Sequence, residues 1–157
     1  MRQLRTVLLF TVTLLLLASM AFQRHKPVDT QQKLRSIDSL VQTAEVVVLD
    51  YWFIGCAPCR KAIPAIDSLS LVYKNKPVRF YGLNSIDDEE TMHAFHAKEN
   101  LHYTTLAIAP ELPSKERVFE YPCIIIYKNG KREFTLEGFT TLMPSQLSAR
   151  IDEFLKP

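Results

Sequence analysis

Along this chain the apolar positions change their period in an order that predicts alternating helices and strands. Between Gln31 and Thr43, Leu34, Ile37, Leu40 and Val41 recur at spacings of three and four, which predicts an amphipathic helix over 31–43. Val46 to Phe53 is a continuous apolar run interrupted only by Asp50, and its short length and β-branched start predict a strand buried on both faces. Ala62, Ile63, Ile66, Leu69 and Tyr73 then form the inward stripe of a helix that begins after Cys56. Pro64 falls inside that helix and should kink it, because it removes a backbone donor and clashes with the preceding turn.

Val78 to Leu83 predicts a second strand, and Asp87 to Asn100 a helix whose acidic first turn suits the helix dipole. A short strand over Tyr103 to Ile108 and a short helix over Ser114 to Glu120 follow. Cys123 to Tyr127 and Arg132 to Leu136 predict an antiparallel pair joined at Asn129-Gly130. Ser145 to Leu155 closes the chain as a helix with Leu147, Ile151, Phe154 and Leu155 on one side. The order α, β, α, β, α, β, α, β, β, α predicts an α/β domain, and there is no internal repeat.

Residues 1–21 change how the charge is read. Arg2 and Arg5 precede an uncharged run from Thr6 to Phe22 that contains Leu14-Leu15-Leu16-Leu17, and Ser19 and Ala21 offer a cleavage site. A basic start, an apolar middle and small residues at the end predict a secretory signal cleaved after Ala21. The alternative is an uncleaved membrane anchor through residues 6–22, at the lower edge of a membrane span. Residues 22–30, polar with one proline, read as a linker, and 31–157 as the domain. Arg2 and Arg5 account for the whole excess of 19 Lys+Arg over 17 Asp+Glu, so the exported domain is formally neutral. With no basic stripe either, nucleic-acid binding is excluded.

In Cys56-Ala57-Pro58-Cys59, two thiols lie one helical turn apart at a helix start. The unpaired N–H groups there favour thiolate on the first sulfur. A thiolate that can attack a disulfide, beside a second thiol that can resolve the adduct, is the equipment of thiol–disulfide exchange. As a staple the pair closes too small a loop to add much stability. As a zinc site it needs a second pair of ligands. His93, His96 and His102 are the other metal-ligand types in reach, but they fall on a separate segment and read as surface residues. No metal site and no cofactor is assigned.

Taken together, Asp50-Tyr51-Trp52, the CxxC pair, Pro64, Tyr121-Pro122 before a strand, and Asn129-Gly130 followed by Gly138 resemble the thioredoxin superfamily in identity and spacing over residues 31–157. Room for an extra helix and strand between Asn84 and Pro122, with an export signal, is similar to its TlpA/ResA-like branch. The resemblance implies a thioredoxin-like three-layer fold: a central mixed sheet, helices on both faces, and a helix–strand insertion ahead of a cis-proline loop. It implies a thiol–disulfide oxidoreductase that reduces protein disulfides in the bacterial periplasm or cell envelope, drawing electrons from an upstream thiol donor. A disulfide-donating oxidase and a metal- or haem-assembly thiol module are the alternatives. One departure is Gly55, directly before the first cysteine, where the superfamily usually has Trp.

The roles implied are Cys56 as nucleophile, Cys59 as resolving thiol and Asp50 as the group that exchanges a proton with Cys59. A carboxylate in an apolar strand should have a raised pKa, which suits that role. Tyr121 and a cis Pro122 would present backbone to a substrate strand, with Ile54 and Pro58 as an apolar rim. Cys123, directly after that proline, is either a small buried strand residue or a third redox thiol.

Overall fold

The computed structural model describes residue 34 and residues 36–156, so the expected leader, anchor and linker over 1–30 lie outside the described residues. The strand β1 (Val46–Tyr51) is the axis of the fold. Its six residues are all buried, as a β-branched run with no polar alternation requires. It pairs in parallel with β2 (Val78–Asn84), placing Asp50 opposite Gly82. On its other side it pairs antiparallel with β4 (Cys123–Lys128), placing Asp50 opposite Ile124 and Tyr51 opposite Cys123. The short β3 (Thr104–Ala107) and the hairpin strand β5 (Lys131–Glu137) complete the mixed sheet β3-β2-β1-β4-β5.

The parallel pair β1–β2 needs a crossover, which is the helix α1 (Ala57–Val72). Its stripe Cys59, Ala62, Ile63, Ile66 and Leu69 packs inward, and Pro64 lies within it on the exposed side. The helix α4 (Met143–Phe154) covers the same face through Met143, Leu147 and Ile151, against Val46, Val48, Ile124 and Ile126. On the opposite face Val47, Leu49, Tyr51, Cys123, Ile125 and Tyr127 meet Ile37, Val41 and Leu112. Between β2 and β3 lies the helix α2 (Glu89–Lys98), capped by the Asp88 carboxylate, which accepts from Thr91 N–H at 2.8 Å. The hairpin turn needs two residues at positive φ, which Asn129 (50°) and Gly130 (78°) supply.

Two expectations are corrected. Over the described part of 31–43 there is no α-helix, only a one-turn 3-10 helix at Leu40–Gln42. Ile37 and Val41 still bury themselves against the sheet, so the spacing was sound. The backbone at Leu34 instead joins the sheet edge, donating to Ala107 and accepting from Ala109. The short helix expected over 114–120 lies at Leu112–Lys115 (α3), where Pro113 pre-sets the first turn and Arg117, at positive φ, ends it. The fold is thioredoxin-like, and the helix–strand insertion is α2 with β3.

Candidate active site

At the C-terminal ends of the parallel strands, β1 leads through Trp52–Gly55 into Cys56, the N-cap of α1. Extended backbone at Cys56 (φ −78°, ψ 102°) and proline in the first turn start the helix here. Cys59 N–H donates to Cys56 Sγ at 3.1 Å, so the helix start already points an amide at this sulfur. The two cysteines are joined as a disulfide, Cα–Cα 5.2 Å. Cys56 is the less covered of the pair, 5% exposed against 0% for Cys59.

Of the expected site residues, Cys56, Cys59, Ile54 and Tyr121 meet in one apolar cluster. Trp52, Cys56, Cys59, Ile63 and Met92 form its buried part, with Ile54 and Tyr121 packed against it. The Tyr121–Pro122 bond is cis, and Pro122 is buried. Phe53 and Tyr121 meet edge to face at 5.4 Å between centroids, worth about 1 kcal/mol, which joins the cysteine loop to the cis-proline loop. Among the described residues the Tyr121 N–H and C=O make no hydrogen bond to backbone. Pro58 is exposed at the helix start, and Ile54 is half-buried. Beside Ile54, a cleft of about 450 Å³ opens between α1 and α2, with Ile63 and Phe95 in its wall and Arg60 and Lys98 at its rim.

Asp50 follows Val46 and Val48 on the alternating face that α1 covers, toward the cysteine end of that helix. It is 2% exposed, and burial pushes its carboxyl up to about 7, against the lowering effect of the Tyr103 hydroxyl. That hydroxyl donates to Asp50 Oδ2 at 3.5 Å, while Oδ1 has no hydrogen-bond partner. Cys123 lies on the opposite face of the sheet, fully buried, and burial and Glu137 push its thiol up to about 12. Cys123 directly follows the cis-proline, but strand alternation turns it away from the face that carries Asp50.

Other residues at the site were missed. Asp87 accepts from Ile54 N–H at 2.7 Å and from Asn84 Nδ2 at 2.8 Å, while Asn84 Oδ1 accepts from the N–H groups of Ile86 and Asp87. The β2–α2 turn thereby holds the loop that carries Cys56. The sequence signal for it is an Asn closing an apolar strand run three residues before an Asp; in the structure that Asn is fully buried, and Asp87 does more than start a helix. His102 donates to Asp67 through its backbone N–H (2.6 Å) and Nδ1 (2.9 Å), and His96 Nε2 donates to the Tyr103 carbonyl at 2.7 Å. Among the described residues, no three His, Cys, Asp or Glu side chains converge as a metal site would require.

No family model matches the chain. It is 29% identical over 120 residues to the chloroplastic thioredoxin M-type of Brassica napus, covering 76% of this chain and 54% of that protein. The chain spans about half the length of the first curated relatives it matches. Among solved structures, it superposes on a Chlorobium tepidum protein assigned as the thiol:disulfide interchange protein DsbE. That match has a TM-score of 0.67 and 25% identity, over 73% of this chain and 83% of that one. A secreted Mycobacterium tuberculosis disulfide oxidoreductase has a TM-score of 0.62 at 21% identity, over 73% and 85%, and supports the fold alone.

Proposed function

We propose that this chain, with its thioredoxin-like fold and its cysteine pair in place, is a thiol–disulfide oxidoreductase that reduces disulfides of exported proteins. The observation that carries this reading is Cys56 as the N-cap of α1, bonded to Cys59, in an apolar cluster against which Tyr121 of the cis-proline loop also packs. In the reduced protein, Cys56 thiolate attacks one sulfur of a client disulfide. The client S–S bond breaks, a Cys56–client disulfide forms, and a client thiolate leaves. The client segment lies extended along Tyr121 and pairs with its N–H and C=O, with Ile54 and Pro58 covering its side chains.

Cys59 then gives its proton to the Asp50 carboxylate and attacks Cys56 Sγ. The mixed disulfide breaks, the Cys56–Cys59 disulfide forms, and the second client thiolate leaves and is protonated. A dithiol donor restores the pair by the same two exchanges in reverse. Cys123 takes no part. The leader 1–21 exports the domain 31–157, through the linker 22–30, to a bacterial periplasm or cell envelope, or else stays as an anchor through 6–22. Among the described residues no helix is long and apolar enough to cross a membrane.

The test is turnover with direction. The full chain should speed the reduction of insulin disulfides by dithiothreitol, and Cys56→Ser should return the rate to background. The pair's reduction potential should lie nearer the reducing end of the CxxC range, about −270 mV, than the oxidising end, about −120 mV. A value at the oxidising end would make the chain a disulfide donor instead. A mature N-terminus after Ala21 would establish cleavage, and its retention would establish the anchor.

A further inference from the structure

Asp50 has one polar partner, Tyr103, and several independent features hold that partner in place. Asp50 and Gly82 are opposed in the β1–β2 register, and alternation sends position 82 to the α1 side, as it does Phe80. A Cβ at Gly82 would stand 2.7 Å from Trp52 Nε1, 2.9 Å from Thr105 Cγ2 and 3.0 Å from Tyr103 Cε2. The missing side chain therefore leaves the space into which the Trp52 indole, the Thr105 methyl and the tyrosine ring close together. The segment is also tethered on both sides. His102, the residue before, is fastened to Asp67 of α1 by two hydrogen bonds, and the Tyr103 carbonyl accepts from His96 of α2. Tyr103 is 3% exposed, so its hydroxyl has no bulk water to turn to.

We propose that Tyr103 is a positioning residue for Asp50: admitted by Gly82 and tethered through His102 and His96, its hydroxyl orients the carboxylate and sets the pH at which Asp50 accepts the Cys59 proton. This rests on the exchange reading above. The groups facing Asp50 are few. The α1 helix, which packs on this face of the sheet, carries Cys59 in its first turn and Asp67, which bonds His102, two turns further on. Gly82 of β2 brings no side chain. The β4 strand brings Ile124 in register, with Cys123 on the far face. Among the described residues Tyr103 is the one donor that bonds the carboxylate, while the Trp52 indole N–H beside Gly82 is buried without a partner, and donation to the charged form favours ionisation. At 3.5 Å the bond is long, which leaves room for it to shorten when Asp50 carries charge.

The experiment uses Tyr103→Phe in the full chain, with Ellman's disulfide as probe. Attack by Cys56 releases one thionitrobenzoate, and resolution by Cys59 releases the second, so the two steps are read separately. Loss of the hydroxyl should move the pH midpoint of the second release upward by roughly half a unit to one unit and leave the first release unchanged. In an Asp50→Asn background the same substitution should add nothing. Separately, the Asp50 carboxyl resonance of the oxidised protein, titrated by carbon NMR, should move upward in Tyr103→Phe without any exchange taking place. An unmoved Asp50 titration, or an equal effect in the Asp50→Asn background, overturns the proposal even if both releases occur. Absence of the second release in wild type would contradict the exchange reading instead, and the NMR titration would still decide the role of Tyr103.

Discussion

Asp50 is a buried acid whose folded-state pKa lies above its unfolded value, about 7 against 3.8. Between those values the folded state binds the extra proton, so stability is greatest below the lower one, declines as pH rises through the upper one, and is flat beyond. Asp50→Asn should therefore stabilise the oxidised protein by a few kcal/mol above about pH 8, and hardly at all below about pH 4, in denaturant titrations at each pH. Cys123 makes a second residue-scale prediction. With its thiol raised to about 12 and fully covered, it should resist alkylation in the folded, oxidised protein and react once the chain is unfolded. At this scale the sequence was most legible where a residue's chemistry conflicts with its surroundings. An Asp inside an apolar run and two thiols a turn apart both announce themselves. Tyr103 and Gly82 did not, because an aromatic before a strand and a glycine within one are ordinary until the register sets them against Asp50.

Among the elements, the strands and long helices followed from periodicity to within a few residues, because each buries a continuous stripe. The helix expected over 31–43 did not, over the described part of that segment, because spacings of three and four satisfy a single 3-10 turn that presses Ile37 and Val41 to the sheet as well as they satisfy a helix. The turn after β2 was legible only as a helix start, although its Asp87 also closes on the cysteine loop. Asp87→Ala leaves the Ile54 N–H without its acceptor, which should cost about 1–3 kcal/mol in denaturant unfolding and slow the attack by Cys56. Asp87→Asn keeps a carbonyl acceptor and should recover much of both. Equal losses from the two variants would mean that the carboxylate's charge, rather than the loop tether, is what matters.

For the molecule as a whole, the order β3-β2-β1-β4-β5 puts the fully buried β1 at the centre and the four-residue β3 and alternating β5 at the edges. Amide hydrogen exchange should accordingly be slowest in β1 and β4 and fastest in β3. The sequence made this architecture legible through the spacing of Asp50, the cysteines, Pro64 and Tyr121-Pro122. Those residues mark where β1 ends, where α1 begins, and where β4 starts. It could not show which face each strand residue takes at the site, and that separates Cys123 from Asp50. The central claim, that Cys56 attacks and Cys59 resolves, is tested most directly by Cys59→Ser. The reduced variant is mixed with a disulfide-bonded client, such as insulin, and the adduct is mapped by mass spectrometry. The account predicts a stable mixed disulfide on Cys56 and none on Cys123, whereas an adduct on Cys123, or none at all, would contradict it.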